Sequence, residues 1–149
     1  MMEKKVTYLV TGIIVTVLYW IFKVEILEKL YYAQGFSDEM YNNSIYGIVT
    51  AISIGMAWLV AAIYYYVINS VRFARWWHWL SMLVIVTLIT PIICYFVTTG
   101  IFNSAGKDYA HEAMAFSVSN LLTVAVLFVI ASFSIRWWSS NCRHTPIPQ

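Results

Sequence analysis

The sequence predicts an all-α integral membrane protein: an antiparallel bundle of four transmembrane helices, both termini cytoplasmic, with a helical hairpin projecting on the outer side between spans one and two. Three observations carry this. The 149 residues are 61% hydrophobic and only 11% charged, against about 25% charged in a soluble domain. Four stretches lack Asp, Glu, Lys and Arg altogether: 6–22, 47–71, 76–105 and 113–135. Each reaches or approaches the roughly 20 residues that cross a bilayer core. They are continuously apolar, whereas barrel strands alternate over about ten residues.

The whole chain, 1–149, reads as one membrane domain, with spans at about 6–24, 45–68, 76–99 and 112–135. Span one follows Lys4 and Lys5, as a signal peptide would. It ends in Tyr19-Trp20-Ile21-Phe22, where a cleavage site needs small residues, so it is expected to be retained. The connection 23–45 has no helix breaker from Lys23 to Tyr32, and Glu25 and Lys29 form a supporting i, i+4 pair. Gly35 suits a helix end. Ser37 suits a new N-cap, with Asp38 and Glu39 in the first turn. A hairpin reaching about 15 Å beyond the membrane is expected. Its arms pack on each other or are covered by a partner, and Leu27, Tyr31, Met40 and Tyr41 are the candidate docking residues. The Asn42-Asn43-Ser44 sequon carries little weight.

Span two has two stripes of small residues, Gly47-Ala51-Gly55 and Ser53-Ala57-Ala61. Small residues at this spacing let helices approach closely. Contact with Gly12 and Thr16 of span one, or contact between chains, would use them. Pro91 should kink span three by freeing the Thr87 carbonyl. Span four is the most polar. Ser117, Asn120 and Thr123 share a face, and Asn120 in hydrocarbon calls for a hydrogen-bond partner. Ser117 and Asn120 are therefore helix-packing candidates beside Gly47, Ala51 and Gly55.

The nine basic residues fix the expected orientation. Lys4, Lys5, Arg72, Arg75, Arg136 and Arg143 fall on one side, and Lys23, Lys29 and Lys107 on the other. The richer side is the cytoplasmic one. Two Arg-Trp-Trp triplets, Arg75-Trp76-Trp77 and Arg136-Trp137-Trp138, meet there with Trp79, Tyr8 and Tyr64-Tyr65-Tyr66. Tyr19, Trp20, Tyr46, Tyr95 and Tyr109 mark the outer edge. Tyr46 and Tyr64 would be separated by about 27 Å along a helix, close to a hydrocarbon core of about 30 Å. The tryptophans thus read as interfacial anchors among lipid headgroups. A nucleic-acid platform would need a larger basic groove than a net charge of +2 provides.

No catalytic set, metal site or cofactor is expected. His78 has no histidine at matching depth. Asp108, His111 and Glu112 share a face without a second histidine at ligand spacing. No charge lies at mid-membrane, where proton-coupled transporters place one. Cys94 falls inside span three, and Cys142 lies in a polar tail, 139–149, where reagents should reach it. The expected role is a non-enzymatic scaffold or accessory subunit of a complex in a bacterial cytoplasmic (inner) membrane, partnered by lipid, other subunits or copies of itself. A small oligomeric channel or membrane-permeabilising effector lined by span four is the alternative, and a membrane enzyme or quinone-linked subunit the third.

Overall fold

Apolar runs that enter a membrane must satisfy their own backbone hydrogen bonds, and a helix does so within one segment. The computed structural model describes residues 1–147, and its regular elements there are all helical. They are α1 (Met2–Ile21), α2 (Lys23–Leu30), α3 (Gln34–Asn42), α4 (Ile45–Ala62), α5 (Trp76–Ser104) and α6 (Ala110–Ile135). A π-helix, Ile63–Ile68, extends α4, and single 3-10 turns follow at Val71–Phe73 and Arg136–Trp138. Four helices are long and apolar enough to cross a membrane: Met2–Ile21, Ile45–Ile68, Trp76–Ser104 and Ala110–Trp138. α5 keeps its helical course through Pro91, and the Thr87 hydroxyl donates to the Val84 carbonyl.

α6 is the central element, packing against α1, α4 and α5. α1 is the most peripheral, with most of its apolar side chains exposed. Besides the buried Tyr19 and the ring of Tyr8, its close contacts include one glycine and one hydrogen bond. Gly12 is buried against Ser134 of α6, and the Trp58 indole N–H of α4 donates to the Thr16 hydroxyl at 3.2 Å.

The segment between α1 and α4 differs from the expected projecting hairpin. The helix breaks at Phe22, and Tyr31 and Ala33 are extended. The two short helices fold over the ends of α4, α5 and α6 and do not close on each other alone. Leu27, Phe36 and Met40 are buried in one cluster with Ile45, Tyr46, Val49, Phe102 and Phe116. Phe36 is its centre, with ring centroids 5.6–6.0 Å from Tyr31, Phe102, Tyr109 and Phe116. Gly35 does not end α2, which stops at Leu30; it lies at the start of α3, where its backbone is non-helical (φ 2°, ψ −49°) and kinks the chain. Ser37 lies inside the first turn, where its hydroxyl accepts from the Ala33 N–H at 3.1 Å. An ion pair from Lys107 to Glu39 ties this cap to the α5–α6 connection. The hydrogen bond from Lys107 holds the Glu39 carboxyl below its ordinary pKa.

A second cluster, built from Ala57, Ala61, Tyr64, Tyr65, Trp79, Val86, Val124 and Phe128, fills the opposite half. Between the two clusters the interior is polar: Thr50, Ser53, Thr90, Ser117 and Asn120 are all buried.

Candidate functional site

Two regions concentrate polar chemistry, the buried polar layer and the end of the molecule where the tryptophan triplets lie. At that end the aromatic residues divide into two sets. Arg75, Trp76, Trp77 and Trp138 are exposed, and Trp76 and Trp77 stack with centroids 3.8 Å apart. They have the exposure of interfacial anchors. Trp79 does not, because its ring is buried against Phe128 at 5.7 Å. Arg136 is also buried, at 8% exposure, with its guanidinium carbon 4.1 Å from the Trp137 ring centroid. Trp137 is half-buried, stacks on Tyr8 at 5.1 Å, and gives its indole N–H to the Phe133 carbonyl. Of the tyrosines expected in the two belts, Tyr19, Tyr46, Tyr64 and Tyr65 lie in the core, and Tyr66 is exposed.

The tyrosine triplet has a structural role that composition does not reveal. The π-helix carries Tyr64, Tyr65 and Tyr66 as consecutive residues, and each hydroxyl reaches a different segment. Tyr64 donates to the Phe73 carbonyl at 2.8 Å, Tyr65 to that of Thr145 at 2.9 Å, and Tyr66 to that of Ile135 at 2.6 Å. The last satisfies a carbonyl that the end of α6 would leave open. The π-helix ends at Asn69 in the left-handed conformation (φ 31°), which Asn tolerates better than most residues.

Asn69 holds the tail. Its Oδ1 accepts from the Ser139 hydroxyl at 2.9 Å and from the Asn141 N–H at 3.0 Å, and its Nδ2 donates to Ser140 Oγ at 2.9 Å. Cys142 is consequently buried, with its thiol 3.7 Å from the Ser70 carbonyl oxygen. Burial pushes its pKa up. This corrects the expectation of a reachable tail cysteine. Residues 148 and 149, the end of the predicted tail, lie outside the described residues. Asn69→Ala removes three side-chain hydrogen bonds worth about 1 kcal/mol each at most in this half-exposed setting. It should release the tail and raise Cys142 maleimide labelling in detergent about thirtyfold, the equivalent of about 2 kcal/mol. Cys94 serves as the unlabelled internal reference, and an unchanged Cys142 rate would show that Asn69 does not hold the tail.

In the polar layer, Asn120 is fully buried and its amide donates to Ser53 Oγ at 3.1 Å, while Ser53 donates to the Val49 carbonyl at 2.8 Å. The Cys94 sulfur lies 3.8 Å from the same amide nitrogen. Tyr19 brings its phenol beside Thr50 and Cys94. Ser117 is buried in this layer, with its hydroxyl unpartnered by protein, as is the Asn120 Oδ1. The Ser53-Ala57-Ala61 stripe of α4 therefore faces the interior. Gly47, Ala51 and Gly55 do not: Ala51 and Gly55 are exposed, Gly47 is half-buried beside Lys23, and nothing lies within 4 Å of a Cβ built on Gly55.

Of the hairpin residues expected to dock a partner, Leu27 and Met40 are covered by the chain's own cap, Tyr31 is half-buried, and Tyr41 is 64% exposed. Sequence reasoning anticipated Gly12 and Thr16 as packing positions of span one, though Gly12 meets Ser134 of α6 rather than a small-residue stripe of α4; it missed Phe36 and Asn69. Only Asn69 carried a local signal, as an Asn-Ser pair between two apolar segments. Asp108, His111 and Glu112 do not converge, and among the described residues no group of three His, Cys, Asp or Glu side chains could hold a metal ion.

The class defined here is an all-helical membrane protein with four transmembrane-length helices and an uncharged polar layer in its interior. No protein-family model, curated protein or solved structure matches the chain.

Proposed function

We propose that the chain is a small non-enzymatic subunit that scaffolds a complex through its helix faces, the partner being another membrane subunit or a second copy. The proposed topology is an antiparallel four-span bundle with both termini cytoplasmic. The six-to-three distribution of basic residues supports it, as do the contacts that gather the start of α1, the end of α4, Phe73 and the tail at one end. The small extramembrane mass suits a bacterial cytoplasmic membrane.

One observation carries the reading. Gly47, Ala51 and Gly55 form a small-residue stripe that the chain's own packing leaves open at Ala51 and Gly55 and covers only in part at Gly47. Stripes of this kind let helix backbones approach closely in a membrane, where hydrophobic burial gives no drive for association. Gly55→Leu places a side chain where nothing of the same chain lies, so the single chain should keep its melting temperature. Association should weaken tenfold or more, about 1.4 kcal/mol. Native mass measurement in mild detergent checks this. A wild-type chain that is only ever a lone monomer, or a Gly55→Leu chain that assembles like wild type, would remove the proposal.

A channel lined by span four is less well supported. Ser117, Asn120 and Thr123 face the chain's own interior, so copies of the chain would not present them to a shared axis. Within one chain, the fully buried Ala57, Val86, Val124 and Phe128 fill the space beyond the polar layer. The purified chain should be electrically silent in planar bilayers. The third reading, a membrane enzyme or quinone-linked subunit, would need a reactive set that none of these contacts supplies.

A further inference from the structure

At the end of the molecule where α1 begins and α6 finishes, a groove of about 330 Å³ is lined by Met1 and by six polar or aromatic residues, Lys4, Lys5, Tyr8, Trp137, Arg143 and His144. Three of these six are cations and none is a carboxylate. Among the described residues the only ion pair is Lys107 with Glu39, far along the sequence from this groove, and none of them places a carboxylate in ion-pair contact with Lys4, Lys5 or Arg143. Arg143 uses its Nε–H on His144 Nε2 at 3.1 Å, which orients the guanidinium and leaves its Nη donors for another acceptor. Such a fork matches phosphate oxygens bidentately. The stacked pair Tyr8 and Trp137 forms the apolar wall. Behind Trp137, the buried Arg136 adds a fourth positive charge whose Nε has no protein partner.

A second groove lies further along the same α1–α6 seam. Its walls are apolar: Val15, Leu18 and Phe22 on one side, Leu122, Val126 and Ile130 on the other. On α1, Lys5 and Val15 are ten residues apart, about 15 Å of helix. One seam therefore offers cations and amphipathic rings at one end and a hydrocarbon-lined trough at membrane depth. A free phosphate would use only the first part, whereas a phospholipid would use both.

We propose that this seam is a binding site for an anionic diacyl phospholipid, its phosphate held by Lys4, Lys5 and Arg143 and an acyl chain lying along α1 and α6. Basic sites between transmembrane helices suit such headgroups. The proposal rests on the membrane-spanning reading, but on neither the orientation nor the scaffold role.

The test is native mass spectrometry of the full, delipidated chain titrated with phosphatidylglycerol, phosphatidylcholine or inorganic phosphate. Phosphatidylglycerol should bind at least tenfold more tightly than phosphatidylcholine. Each cation removed should weaken it about fivefold, so that Lys4→Ala, Lys5→Ala and Arg143→Ala together lose about a hundredfold. These side chains are exposed or half-buried, and an unchanged melting temperature of the variant confirms that it is folded. Leu122→Trp, which fills the trough, should weaken long-chain phosphatidylglycerol while leaving the dihexanoyl form unaffected. Equal affinity for the two lipids, or no loss in the triple variant, would overturn the proposal. So would inorganic phosphate binding as tightly as the lipid, which would mark a site for the free ion. A failed scaffold would appear separately, as an unchanged oligomeric state in Gly55→Leu with lipid selectivity intact.

Discussion

Phe36→Ala is expected to cost about 3–5 kcal/mol, the range for removing a buried phenylalanine side chain. Phe36 is 2% exposed and touches four aromatic rings contributed by the α2 end, α5, the α5–α6 connection and α6. No flexible neighbour can move into the space, because Leu27, Met40 and Phe102 are themselves fully packed. The loss should appear as a lower melting temperature in detergent. It should also appear chemically. Cys94 belongs to the same cluster and borders the polar layer. Opening the cap should therefore admit water and thiol reagents to Cys94 while Cys142, at the other end, stays protected. Uniform labelling of both cysteines would indicate global unfolding. Unchanged labelling and melting would mean that the cap is not a sealing element.

That cap was only half legible in the sequence. Long runs without charge leave no alternative to membrane-length helices, and these follow from composition alone. The short helices do not. The break at Phe22 and the extended Tyr31 carry no Gly or Pro, so local signals favour one unbroken helix. What ends it is tertiary: Leu27, Phe36 and Met40 gain burial only if the chain folds back over the ends of α4, α5 and α6. The two small-residue stripes of α4 were likewise indistinguishable by spacing. Asn120 decides between them, since its amide reaches Ser53 and so turns the Ser53-Ala57-Ala61 face inward. The tyrosine triplet misled for a related reason. An interfacial composition describes where a residue type is favoured, but in the π-helix Tyr64 and Tyr65 turn into the interior and only Tyr66 remains exposed. The three hydroxyls then find backbone carbonyls that no pattern in the sequence would pair with them.

Gly12→Leu is expected to separate α1 from α6 and to cost at least the upper end of the 1–3 kcal/mol typical of overpacking. A Cβ at Gly12 would lie 2.7 Å from the Ser134 Cβ and closer still to its hydroxyl oxygen. A Cβ has no rotamer that moves it away, so relief requires the helices to part. The hydroxyl is also committed, donating to the Ile130 carbonyl at 2.6 Å. Parting the helices would strain the Thr16–Trp58 hydrogen bond and the Tyr8–Trp137 stack, which flank Gly12 along α1. The graded variant isolates the cause. Gly→Ala in a helix ordinarily gains up to about 1 kcal/mol in propensity, so Gly12→Ala on an unpacked helix would stabilise the protein. Here it should destabilise, and Ser134→Gly in the same chain should restore much of the loss by removing the obstructing side chain. Gly55→Ala, where a Cβ meets nothing within 4 Å, should be neutral or slightly stabilising in the monomer. Reversible unfolding in detergent, followed by tryptophan fluorescence, measures all four. Stabilisation by Gly12→Ala, or no recovery with Ser134→Gly, would show that α1 does not pack on α6 through this contact.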